Sequence, residues 1–198
     1  MTLAARKTES TVREQPRQGT HVARLLGIVE MGHQPGFIYE GKKVESEWKL
    51  EFTYELVDHL MEDGRPFVVS EDLTNKDWED KKTGKSCTLV ARAKSMLNED
   101  YRKGVDDMSV LLGQACMVSV TPNAKGYMKV KGIAAVSGVP FGMKVTELYN
   151  TPYLFNQDEP DMELWETFPE FKQERIKSAL NFPETVLAKN LAEENQYA

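Results

Sequence analysis

Cysteine and histidine are scarce in this chain. Cys87 and Cys116 are the only cysteines among 198 residues, too few for a disulfide-built scaffold. With no secretory context they read as reduced thiols in a reducing cytosol. The three histidines, His21, His33 and His59, have no ligand spacing with one another or with the cysteines, which argues against zinc. Long apolar runs are missing too. Nothing approaches a membrane span, and the N-terminus lacks the h-region of a signal peptide. Excess positive charge is also absent: the net charge of −6 argues at first against a nucleic-acid partner.

The distribution of charge reverses that last reading. Residues 1–140 carry 20 Lys+Arg against 20 Asp+Glu, and residues 141–198 carry 5 against 11. The whole excess sits in the last third, and a neutral body can still present a basic groove. A composition of 40% hydrophobic and 28% charged residues suits one globular domain with appendages.

The strongest pattern is residues 45–56, ESEWKLEFTYEL. Trp48, Leu50, Phe52, Tyr54 and Leu56 share one parity, while Glu47, Lys49, Glu51, Thr53 and Glu55 share the other. This predicts a long strand with one face buried and one face wet. At the usual rise it spans roughly 40 Å, so it must coil and can border both halves of a small barrel.

Around it the chain reads in order. Residues 1–20 form a polar, mobile arm with Arg6, Lys7, Arg13 and Arg17. A first strand covers residues 21–31, with Ala23, Leu25, Val29 and Met31 on one face. Residues 32–44, GHQPGFIYEGKKV, form a loop that places Phe37 and Tyr39 beside Lys42 and Lys43. These rings either pin the loop to the barrel or offer a base-stacking platform. A third strand covers 65–74. The charged stretch 75–84 carries Trp78, which either caps the barrel or stacks on a ligand. Ser86 caps a predicted helix over 86–98, whose Arg92 and Lys94 lie on a solvated face. Residues 114–121 and 126–136 form a hairpin with Lys125, Tyr127 and Lys129 in and after its turn.

Five strands with a helix between the third and fourth predict an oligonucleotide/oligosaccharide-binding (OB) barrel, mainly β. A strap over 137–157 packs Phe141, Tyr149, Tyr153 and Phe155 on it. The capping box Thr167-Phe168-Pro169-Glu170 starts a helix to about Leu180, and residues 183–198 are weakly helical or frayed. The expected division is an arm (1–20), the OB domain with its strap (21–157) and an acidic helix and tail (158–198). Leu164, Trp165 and Phe168 stand among the carboxylates of that last segment. It either imitates a polyanion and occupies a basic groove in cis, or covers one barrel end.

Enzyme readings fare poorly. Thr83-Gly84-Lys85-Ser86 imitates the end of a phosphate-binding loop, yet Glu79 stands where its first glycine belongs. Glu45, Glu47 and Lys49 lie on one strand face with no aspartate placed to complete a nuclease metal site. Nothing implies a cofactor.

The chain resembles the OB-fold single-stranded DNA-binding proteins of tailed bacteriophages. The resemblance rests on Met31-Gly32-His33-Gln34-Pro35, Leu111-Leu112-Gly113-Gln114-Ala115-Cys116 and Pro140-Phe141-Gly142-Met143, then Asn150-Thr151-Pro152 and Trp165-Glu166-Thr167-Phe168-Pro169-Glu170-Phe171. It covers residues 20–180. It implies non-catalytic coating of single-stranded DNA in phage replication and recombination, in the cytoplasm of the infected bacterium. The expected DNA contacts are Phe37, Tyr39, Lys42, Lys43, Lys49, Trp78, Lys125, Tyr127 and Lys129. The acidic segment could bind phage or host replication proteins, and the alternative is an OB-type protein-interaction adaptor.

Overall fold

The computed structural model describes residues 14–80, 82–136 and 145–197, with Tyr39 and residues 194–197 described by backbone alone. Most of the expected arm (1–13) and the first part of the strap (137–144, with Phe141) lie outside the described residues. In chain order the elements are β1 (Gly19–Gln34), β2 (Phe37–Tyr39), β3 (Lys42–Val44), β4 (Glu47–Leu60), β5 (Pro66–Thr74), α1 (Thr88–Leu97), α2 (Tyr101–Asp106), β6 (Ala115–Pro122), β7 (Met128–Ala134), β8 (Tyr153–Phe155), α3 (Met162–Thr167), α4 (Glu170–Lys177) and α5 (Val186–Tyr197).

The molecule is mainly β. Its main sheet runs β5-β4-β1-β6-β7, antiparallel throughout, with β8 added to β1. The edge strands β5 and β7 come near one another, but no ladder joins them among the described residues. Pairing therefore leaves the sheet open. β1 is its shared strand. One edge carries β4 from Arg24↔Glu55 to Gln34↔Glu47. The other carries β6 over residues 19–24 and then β8, in parallel, over residues 27–29. Register shifts at Leu25/Gly27 and Glu30/Gly32 add the local twist of β-bulges. The Tyr153 ring occupies the space that a Cβ at Gly27 would fill, so only glycine fits there.

Both faces of β1 are covered. Leu25 and Ile28 join Phe52, Tyr54, Leu56, Phe67, Val69 and Leu73 in a core closed by Leu89, Val90 and Ala93 of α1. Val29 and Met31 face a second cluster of Phe155, Trp165, Phe168, Ile176 and Leu187. Burying each side chain of this size contributes about 1.5–3 kcal/mol. Sequence alternation under-reads such a strand, because neither parity is polar.

Several expectations need correction. Ser86 does not cap α1; it bridges to Glu79, and Cys87 is the N-cap residue. Arg92 is not solvated: Nε and Nη2 each donate to Glu71 at 2.8 Å, and the Tyr54 hydroxyl joins them at 2.7 Å. Lys94 pairs with Glu79. Burial, reinforced by Glu71, raises the Tyr54 hydroxyl pKa and pushes the Cys116 thiol up to about 12. The capping box at Thr167 does not form, because Phe168-Pro169 separates two short helices. Thr167 ends α3 and its hydroxyl donates to the Leu164 carbonyl; Asp161 caps α3 instead, accepting from Leu164 N–H at 3.0 Å.

The last correction concerns β4. Its expected wet face is buried: Glu51 is 8% exposed and Glu55 0%. The C-terminal layer lies over them. Lys172 of α4 reaches Glu51, and Arg175 reaches Asp72 of β5 at 2.8 Å. Glu55 accepts the amides of Tyr149 (2.6 Å) and Asn150 (3.0 Å). A charged parity that another layer satisfies looks, from sequence alone, like a solvated one.

Candidate nucleic-acid interface

Beyond Gln34 the chain turns at Pro35-Gly36 into a small separate sheet of β2 and β3, paired from Phe37↔Val44 to Tyr39↔Lys42. The expected loop is thus a hairpin. Its turn is Glu40-Gly41, with φ of 48° and 74°, the two left-handed residues of a type I′ turn. Phe37 is 59% exposed and Ile38 78%. Lys42 and Lys43 are exposed, and Lys43 pairs with Glu45 at 3.1 Å. An open groove of about 520 Å³ runs under the hairpin, lined by Phe37, Ile38, Val44 and, from the C-terminal layer, Leu180.

Trp48 stands beside this hairpin. Although it has core parity, it is 43% exposed, because β4 begins beyond the core. Its indole stacks on His33, the register partner across the ladder, with centroids 5.4 Å apart and planes 9° from parallel. Asn75 N–H donates to the Trp48 carbonyl at 2.8 Å, so the loop after β5 starts at the same end. That loop holds Trp78, 49% exposed. Its Thr83 hydroxyl donates to Asp80, so the apparent phosphate-binding sequence folds on its own carboxylate.

Lys49 lies here too, but it is engaged. Its Nζ is 2.7 Å from Glu47, which also receives Lys76 at 2.7 Å and Thr74 at 3.0 Å. The Lys49 bond first, then those from Lys76 and Thr74, lower the Glu47 pKa to about 2. Two lysines thus share one permanent carboxylate.

Lys125, Tyr127 and Lys129 sit elsewhere. Asn123 Oδ1 accepts the amides of Lys125 (2.9 Å) and Tyr127 (3.0 Å), fixing the β6–β7 turn. Tyr127 is 58% exposed, and both lysines are exposed. This turn adjoins the start of β1, where Gly19 pairs with Val120, whereas the β2–β3 hairpin follows its end. Sixteen residues of strand separate the two groups by roughly 50 Å measured along the chain. Phe37, Tyr39, Lys42 and Lys43 share one hairpin, at the end of the sheet where Lys49 lies and the loop carrying Trp78 begins; the other three residues form a second cluster.

Sequence reasoning missed the His33–Trp48 stack and Leu180. The period-2 pattern assigns Trp48 to the core, and no periodicity links Leu180 to residue 37. Among the described residues no group of three His, Cys, Asp or Glu side chains could hold a metal ion, and no helix is long and apolar enough to cross a membrane. Compared with known proteins, the chain matches no family, no curated protein and no solved structure.

Proposed function

We propose that the chain is a non-catalytic protein that binds single-stranded DNA with little sequence preference, acting in the replication or recombination of a tailed bacteriophage in the cytoplasm of its host. One observation carries this reading. Phe37, Ile38 and Trp48 stay exposed at one end of the sheet, beside Lys42 and Lys43. Rings interleaved with amines suit a ligand that offers π-faces and phosphates alternately. The strand order of the main sheet supports an OB barrel as its frame: β1, β4 and β5, then α1 and α2, then β6 and β7, with β1 shared between β4 and β6 and the edges β5 and β7 close together.

Phe171, 72% exposed on α4, favours a second reading, an adaptor whose C-terminal layer holds another replication protein. Titration of the chain with oligo-dT, read by tryptophan fluorescence, separates the two. Single-strand binding predicts quenching at low salt and a fall in affinity as salt rises, with a slope near −0.7 per phosphate neutralised. Absence of quenching at low salt, or binding indifferent to salt, overturns it.

A further inference from the structure

The turn after α4 reaches the end of β1 that lies beside the exposed rings. Leu180 N–H donates to the His33 carbonyl at 2.8 Å, and His33 N–H donates to Asn181 Oδ1 at 2.7 Å. The Gln34 side-chain amide donates to the Arg175 carbonyl at 3.1 Å. The approach is so close that a Cβ on Gly32, whose φ is +77°, would lie 2.7 Å from Asn181 Oδ1. His33, gripped on both sides of its backbone, then stacks on Trp48.

A stacking platform gains affinity when its ring is already held, because ordering a loose side chain on binding subtracts from the free energy of association. We infer that Asn181 is a positioning residue for DNA binding. By fixing His33, it holds the Trp48 indole ready to receive a base. The turn at residues 178–181, part of the acidic third, is then a support of the binding end and not its competitor. The charges agree, since Lys172 and Arg175 of α4 lie on carboxylates of β4 and β5, the reverse of a polyanion filling a basic groove. This inference rests on the single-stranded DNA reading above.

The experiment compares the chain with its Asn181→Ala and Asn181→Asp variants, first without DNA. Asn181→Ala should lose the nuclear Overhauser contact between the His33 and Trp48 rings. Asn181→Asp keeps an oxygen acceptor and should retain it. With oligo-dT, Asn181→Ala should bind about two- to tenfold more weakly, the worth of one hydrogen bond. Its salt slope should not change, because no cation has been removed. Asn181→Asp should match the unaltered chain once salt screens the added charge.

A folded Asn181→Ala that keeps the ring contact, or that binds like the unaltered chain, overturns the inference. So does an Asn181→Asp that stays as weak as Asn181→Ala at raised salt. Should Asn181→Ala fail to fold, coupling in the unaltered chain decides. Because coupling is reciprocal, saturating oligo-dT must slow hydrogen exchange at the His33 and Leu180 amides, and unchanged exchange overturns the inference. If the unaltered chain binds no oligo-dT, the DNA reading falls by itself, and the ring contact measured without DNA still decides the role of Asn181.

Discussion

Lys172 of α4 places its Nζ 2.5 Å from Oε1 of Glu51 on β4, and each side chain is only 11% exposed. Removing one partner strands the other charge away from water, which costs about 3–5 kcal/mol. Lys172→Met should therefore lower the unfolding free energy by about that amount, and adding Glu51→Gln should recover most of it. Urea denaturation of the single and double variants checks this; equal losses in both would show that Glu51 is not left uncompensated.

The rings at the hairpin end should carry more binding energy than the amines. Trp48→Ala and Phe37→Ala should each weaken oligo-dT binding by about 1–3 kcal/mol where a base stacks. Lys43→Ala should cost less and flatten the salt slope by about 0.7. Tyr127→Ala reports on the second cluster. If it alone weakens binding while Trp48→Ala and Phe37→Ala bind normally, the strand passes over the β6–β7 turn instead.

Glu47→Gln should strengthen binding. The substitution frees Lys49 and Lys76 from a carboxylate that is ionised down to a pH of about 2. Each cation that then meets a phosphate adds about 0.7 to the steepness of the salt dependence. Fluorescence titrations at several salt concentrations check this, and an unchanged slope would show that neither lysine lies on the path of the strand.

His59 should make stability sensitive to mild acid. Arg17 N–H donates to His59 Nε2 at 3.1 Å, and a protonated Nε2 could not accept that bond. Desolvation first, then His21 and Arg17, hold the His59 pKa below its ordinary value of 6.5, while Asp58 and Glu14 pull the other way. The unfolded chain thus takes up the proton before the folded one. The contribution of His59 is complete above pH 6.5, declines as pH falls below it, and levels off below the folded pKa. His59→Gln, which still offers an acceptor, should remove that component of the slope in urea denaturation between pH 8 and 5.5.

Residues 45–56 showed in the sequence how much a strand reveals of itself. Leu50, Phe52, Tyr54 and Leu56 are all buried, because one side of the strand meets a core and period 2 reports that directly. Glu51 and Glu55 misled for a physical reason. Their partners, Lys172, Tyr149 and Asn150, lie about a hundred residues away, and no local pattern marks a carboxylate that will be covered. β1 hid its limits because it is apolar on both parities. The rings of the hairpin were legible as an aromatic and lysine mixture, whereas the His33–Trp48 stack depends on a register that only the folded ladder sets.

The shared position of β1 also orders events in time. Among the described strands it is the first to be synthesised, yet its partners arrive singly. β4 comes early, β6 only after α1 and α2, and β8 last of all, with Tyr153 filling the gap over Gly27. Contacts between such distant segments require large loops to close first, and they slow folding. Until residue 155 is synthesised, one stretch of β1 has an open edge, and Val29 and Met31 lack the side chains that cover them. A nascent chain paused before that point displays an apolar, half-paired strand that can recruit a neighbour's strand.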